Sequence, residues 1–295
     1  MTGGSGAVEA AVLGLAAAAL YALTSVLQQS AAATVPHHRS LRPSLLLELL
    51  RRPRWLLGNL AEVVAFVLHF VALRHGSLLL VQTVLVAGLL FALPMAAALV
   101  HQRLRPADWL WTVVLVAGLS VFIGVAQPSA GRDEASGRAW VAVLVVGLGI
   151  VGLLVVRAPR RPCGARATYL GTACGVLFGV NAAITKASGH LLEKGVVHAL
   201  SSWEPYALAV SAGIGFLLAQ SAFQAGPLAA SLPMLSIIDP VAAAVIGVLA
   251  FGERLSGSGL VIVAEGAAVV AMVAGVFGLA RSPLVTHEAA AAEAD

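Results

Sequence analysis

Of the 295 residues, 59% are apolar and only 11% are charged, with a mean hydropathy of +0.93. A water-soluble domain carries about 25% charged residues, so the composition excludes a soluble enzyme, a nucleic-acid binder, a disordered chain and a disulfide-stapled secreted domain. The formal charge of +4 and the pI of about 9.6 come largely from arginines in short loops between apolar runs, a pattern that reports orientation in a membrane rather than a polyanionic partner.

A membrane helix needs about 20 predominantly apolar residues. By that measure the chain contains nine runs, at 8–29, 54–73, 77–100, 107–126, 139–156, 167–186, 205–223, 227–250 and 257–280. The fold class expected is all-α, a polytopic membrane helix bundle. The first run precedes Ala31-Ala32-Ala33, as in a cleaved leader, but residues 1–10 hold no Lys or Arg, so it reads as a retained helix. All five tryptophans, Trp55, Trp109, Trp111, Trp140 and Trp203, fall at or beside a run's start, where indole rings favour the headgroup zone. Cys163, in an Arg/Pro-rich loop, and Cys174, inside an apolar run, have no metal-site spacing and imply no disulfide framework.

Twelve of the 18 Lys and Arg residues fall on one side of this threading and six on the other. The richer side should be cytoplasmic. The expectation is a multi-pass protein of the plasma membrane with its N-terminus outside, its C-terminus inside and a disordered tail over 281–295.

The chain also resembles itself. Ala72-Leu73-Arg74-His75-Gly76-Ser77-Leu78 matches Ala222-Phe223-Gln224-Ala225-Gly226-Pro227-Leu228 at an offset of 150. Leu13-Gly14, Leu20-Tyr21 and Thr24 match Leu170-Gly171, Leu177-Phe178 and Asn181 at 157, and His101-Gln102-Arg103-Leu104 sits where Gly252-Glu253-Arg254-Leu255 sits. The expected organisation is a four-helix repeat over 1–126, a linking helix and loops over 127–166, and a second four-helix repeat over 167–280, inverted because the linker is odd. Inverted repeats let one fold expose a central site to either side alternately. Compositional bias toward Ala, Leu and Gly is the rival explanation.

Several polar residues lie inside the runs. A carboxylate at mid-bilayer costs about 2.5–3.5 kcal/mol on insertion scales, which makes it a functional candidate. Glu62 and Asp239 lie near the centres of their runs, and Glu265 about a third of the way into the last. They can face a cavity and bind a cation or exchange protons, or they can be structural, paired with a helix-end arginine or bonded to backbone. Desolvation favours the neutral form of an acid, which suits proton coupling. His69 shares a helix face with Glu62 and could extend a proton relay, or pack as a neutral interior histidine.

Asp239 is followed by Pro240, with Pro233 on nearly the same face. The two prolines free the carbonyls of Ser236 and Ala229, which at membrane depth must line a cavity or pack against protein. A broken helix of this kind points to a transporter site; a structural kink is the alternative. In the sixth run Gly171, Gly175, Gly179 and Ala183 form a small-residue stripe suited to close packing. Asn181 and Thr185 lie roughly opposite it, and their repeat counterparts Thr24 and Gln28 have the same i, i+4 spacing. These four either face substrate or bond helix to helix. Lys186 reads as a snorkelling lysine, Glu253 as a loop-side structural acid, and Arg51-Arg52 and Arg160-Arg161 as topology determinants.

Gly252-Glu253-Arg254-Leu255, Asp239-Pro240 and the Gly/Ala-rich last run resemble the second-half signature of the drug/metabolite transporter superfamily. Trp55-Leu56-Leu57-Gly58, Glu62, Phe66 and Ala72 resemble the W-x-x-G…GE-x-x-NF…A segment of its NIPA-type magnesium transporters. This chain departs from that branch with Thr83 at a frequent proline, Gln102 at a glutamate and Gln28-Gln29 at a lysine. The superfamily usually has ten helices in two sets of five; nine fit if the linking helix closes the first set and the second lacks its last member. The resemblance implies a secondary transporter working by alternating access, with magnesium or another divalent cation held by Glu62 and Asp239 and no cofactor. An apolar cavity could instead serve a proton-coupled exporter of a small organic metabolite or drug. The partners expected are the lipid bilayer, the cargo and a second copy in a homodimer, with no nucleic acid. An intramembrane enzyme is disfavoured, since no H-E-x-x-H or serine–histidine pair at matching depth occurs. A non-transporting membrane scaffold is a third class.

Overall fold

The computed structural model describes residues 3–36, 39–75, 81, 84–85, 87–99, 104–125, 135–193, 195–252 and 259–281. Among them every regular element is helical: α1 (Gly3–Ala32), α2 (Pro43–Leu49), α3 (Pro53–His75), α4 (Gly88–Leu99), α5 (Pro106–Val125), α6 (Gly137–Arg157), α7 (Cys163–Glu193), α8 (Val196–Leu200), α9 (Glu204–Ala225), α10 (Leu228–Phe251) and α11 (Gly259–Ala280). Helices α1, α3, α6, α7, α9 and α10 are long and apolar enough to cross a bilayer, and shorter apolar helices run over Gly88–Leu99, Pro106–Phe122 and Val263–Leu279. The result is a membrane helix bundle.

Local chemistry sets the helix ends. Pro43 and Pro53 stand at the first positions of α2 and α3, where a missing N–H costs nothing. The Ser136 hydroxyl caps α6 by accepting from the Ala139 amide at 3.2 Å, and α10 stops at Gly252, whose φ of 64° is the left-handed stop that glycine adopts without strain. The sequence departs from expectation at the prolines of α10: the helix runs unbroken through Pro233 and Pro240. Each proline removes one ladder bond, and the turns on either side keep theirs while α7 packs along them.

In the first half α1 packs against α3 and α4; in the second α7 packs against α9 and α10; α5 pairs with α11, and α6 lies on α7. The small-residue stripe of α7 makes its contact as expected. A Cβ on Gly171 would stand 2.7 Å from the Ser231 carbonyl oxygen, and one on Gly175 2.8 Å from Ile238 Cβ, so α10 comes as close as two backbones allow. The outer faces carry exposed apolar side chains, among them Val145 of α6, Phe66 of α3 and Val270 of α11, a surface that suits lipid and not water.

The tail expected over 281–295 lies outside the described residues apart from Arg281, as do Gln82, Thr83, Gln102 and the Glu253-Arg254-Leu255 motif; of Lys186 only the backbone is described. Trp55 and Trp140 turn into the protein: Trp55 is buried in the core shared by α1, α2 and α9, and Trp140 meets the rings of Trp203 and Phe251 edge-on.

Candidate functional site

Helix α3 presents Trp55, Gly58, Glu62, Ala65, His69 and Ala72 toward α1, a helical stripe in which the four apolar members are buried and the acid and histidine half-buried. From this stripe a run of hydrogen bonds leads across three helices. The indole N–H of Trp55 can only donate, and it donates to Oε1 of Gln220 on α9 at 3.0 Å. That leaves Gln220 Nε2 to donate to Oε1 of Gln28 on α1 at 2.9 Å. Gln28 Nε2 in turn donates to Glu62 Oε2 at 3.1 Å. Each carboxamide is oriented by the one before it, so the run has a single polarity and ends by presenting a donor to the acid. One turn from Gln28, the Thr24 hydroxyl donates to the Gly58 carbonyl at 3.0 Å and binds α1 to α3.

Asp239 occupies different ground. It lines a cavity of about 300 Å³ walled by Tyr21 and Ser25 of α1, Leu89 of α4, Leu119 of α5, and Leu232, Ser236 and Pro240 of α10. Its carboxyl group makes no hydrogen bond or ion pair among the described residues, and it is half-buried. Ser236, whose carbonyl Pro240 leaves without its ladder donor, is a residue of the same cavity wall, one of the two surroundings in which such a carbonyl is tolerated at membrane depth. Tyr21 stands between the two acids. It lines the Asp239 cavity, its ring meets that of His69 edge-on with centroids 6.3 Å apart, and it lies within electrostatic reach of Glu62. The Nε2 of His69 is buried without a hydrogen-bond partner among the described residues.

Thus Thr24, Gln28, Glu62 and His69 come together along the α1–α3 seam, and Tyr21 connects them to Asp239. The other candidates lie elsewhere. Asn181 Oδ1 accepts from the Ser211 hydroxyl of α9, a helix-to-helix bond. Thr185 is exposed, its hydroxyl donating to the Asn181 carbonyl of its own helix at 2.7 Å. Glu265, only 9% exposed, lines a separate, apolar cavity of about 340 Å³ with Phe122, Val241 and Val269, and its Oε1 has no hydrogen-bond partner among the described residues. Among the described residues no three His, Cys, Asp or Glu side chains gather as a metal-binding group.

The chain is 33% identical to the uncharacterized protein Cgl0250/cg0304 of Corynebacterium glutamicum over 274 residues, which is 92% of this chain and 95% of that protein. It belongs to the family of that protein. No family model and no solved structure matches the chain.

Several site residues carry little signal in the sequence. Gln220 is fully buried; stranding an amide in an apolar run is costly, though less so than stranding a charge, and the test applied to acids would have marked it had it been extended to amides. Tyr21 and Ser25 are common side chains that gain meaning only from the cavity they share with Ser236 and Asp239.

Proposed function

We propose that this protein is a secondary transporter of the drug/metabolite type, with nine spanning helices in a 4+1+4 inverted arrangement and a cation as cargo, taken at Asp239. The observation that carries the reading is the Asp239 carboxyl, which faces a cavity with no partner among the described residues, beside a proline-freed carbonyl in the same helix. A desolvated acid kept without a counter-charge is costly, and a cation offsets that cost on arrival. Magnesium suits the site if it keeps several waters, with Asp239, the Ser25 and Tyr21 hydroxyls and the Ser236 carbonyl as the oxygens within the walls.

The packing supports the repeat. α1 holds α3 and α4 as α7 holds α9 and α10. Thr24 and Asn181, which the offset of 157 relates, each also bond their own helix to the next one packed on it, Thr24 to Gly58 of α3 and Asn181 to Ser211 of α9. Gln28–Gln220 then bridges the halves, the junction at which alternating access requires two arrangements.

A second reading, proton-coupled export of a small organic metabolite, is favoured by the size of the cavity and by its leucine walls. Flux into liposomes separates the two. Magnesium entry that is lost in Asp239→Asn and Glu62→Gln supports the first, proton-driven movement of an organic solute supports the second, and no movement of any solute across a broad panel rejects both.

A further inference from the structure

Helix α2 is too short to span a bilayer, yet it is apolar on two faces. Its inner face is anchored: Leu45 and Leu49 are fully buried against α1, α3 and α9. The turn before it is held as firmly. Leu41 adopts φ 63°, a left-handed conformation that costs a non-glycine residue about 1–2 kcal/mol; its amide donates to the Ser221 hydroxyl at 3.1 Å and its side chain packs against the core cluster of α6, α7 and α9. Among the described residues the outer face has no protein against it. Leu47 is 64% and Leu50 51% exposed.

Five arginines surround this face, with a single acid among them. Glu48 is already engaged, accepting from Arg39 at 2.7 Å and from Arg52 at 3.3 Å. Arg42, Arg51 and Arg54 are exposed and have no ion pair among the described residues. From Arg54 the surface runs on down α3 through Leu57, Leu60 and Val64, all exposed. Three unpaired cations thus stand at the head of an apolar stripe. The positive-inside pattern explains arginines at this end of the bundle, but not why leucines share their face.

We propose that the outer face of α2, with Arg42, Arg51 and Arg54, binds an anionic phospholipid of the surrounding bilayer, its phosphate among the arginines and its acyl chain along Leu57, Leu60 and Val64. The arginine fork matches phosphate oxygens, and the exposed leucines sit in the acyl boundary as in an interfacial helix. A soluble anion would satisfy the arginines and leave the leucines in water; a phospholipid satisfies both. The site is independent of the transported cargo.

The test uses the full chain in detergent with equal amounts of phosphatidylglycerol and phosphatidylcholine, reading retained lipid by native mass spectrometry. Wild type should keep the anionic lipid at least about tenfold in preference, given roughly fivefold per arginine near a headgroup. R42Q/R51Q/R54Q should bring the two lipids within about twofold of each other, while R42K/R51K/R54K and the distant R138Q keep the preference, because charge supplies most of it. Equal retention by wild type, or a preference that survives the triple glutamine change, overturns the proposal. Should the glutamine variant lose its helical circular dichroism, wild type in nanodiscs decides. Melting raised by phosphatidylglycerol over phosphatidylcholine, with the difference removed by high salt, supports the site; identical melting in the two lipids refutes it.

Discussion

Gln220 Nε2 donates to Gln28 Oε1 at 2.9 Å, joining side chains 192 residues apart in sequence. Removing either amide strands the other, and leaving a buried polar group unpaired costs about 1–3 kcal/mol. Gln220→Leu should therefore lower unfolding stability by that amount, since it also strands the Trp55 indole N–H. A double-mutant cycle with Gln28→Leu should give a coupling of about 0.5–3 kcal/mol. Additive losses in detergent denaturation would show that the bond contributes nothing beyond its parts.

Asp239→Asn and Glu265→Gln should part company in a flux assay, because the two acids line different cavities. Asp239→Asn removes the charge from the proposed cargo site and should cut transport about ten- to a hundredfold, the worth of a charged hydrogen bond at about 1.5–3 kcal/mol. Glu265→Gln should leave flux within about threefold of wild type, since it removes no ligand of that site. Equal losses would place both acids on one pathway.

Gly175→Ala tests the α7–α10 contact. The added methyl would stand 2.8 Å from Ile238 Cβ and 3.2 Å from the Asp239 amide nitrogen, so one helix has to move. Overpacking of this kind costs about 1–3 kcal/mol, read as a fall in melting temperature. Gly149→Ala on α6, where an added Cβ meets nothing, should melt as wild type or slightly higher, because alanine is the better helix former by about 1 kcal/mol.

Pro240→Ala restores an amide donor to the Ser236 carbonyl, and helix interiors prefer alanine by about 3 kcal/mol. The variant should melt higher than wild type and transport less, because the carbonyl that borders the Asp239 cavity is drawn back into the helix ladder. Unchanged flux with raised stability would make the proline a kink of no consequence for cargo.

Much of the helical framework was legible because hydropathy over about 20 residues is a strong signal, and the Gly171–Gly175–Gly179 stripe was legible because spacing alone puts glycines on one face. Glu62 and Gln28 could each be singled out as costly side chains in apolar surroundings. Their meeting could not, since it depends on how α1 lies against α3. Gln220 is marked by the same cost, but a lone amide has no spacing signature and both of its partners are on other helices, so its bonds were not legible. Helix α2 escaped a ruler made for spanning segments, because its seven residues lie between two of them. The breaking of α10 was over-read from its prolines, whose local cost the neighbouring turns absorb.

Tyr21 borders the cavity of one acid and feels the charge of the other. A cation bound at the proposed Asp239 site would share its cavity wall with the phenol that lies within reach of Glu62, which gives one acid a physical route to influence the other. Whatever factor occupancy at Glu62 imposes on affinity at Asp239, occupancy at Asp239 must impose in return.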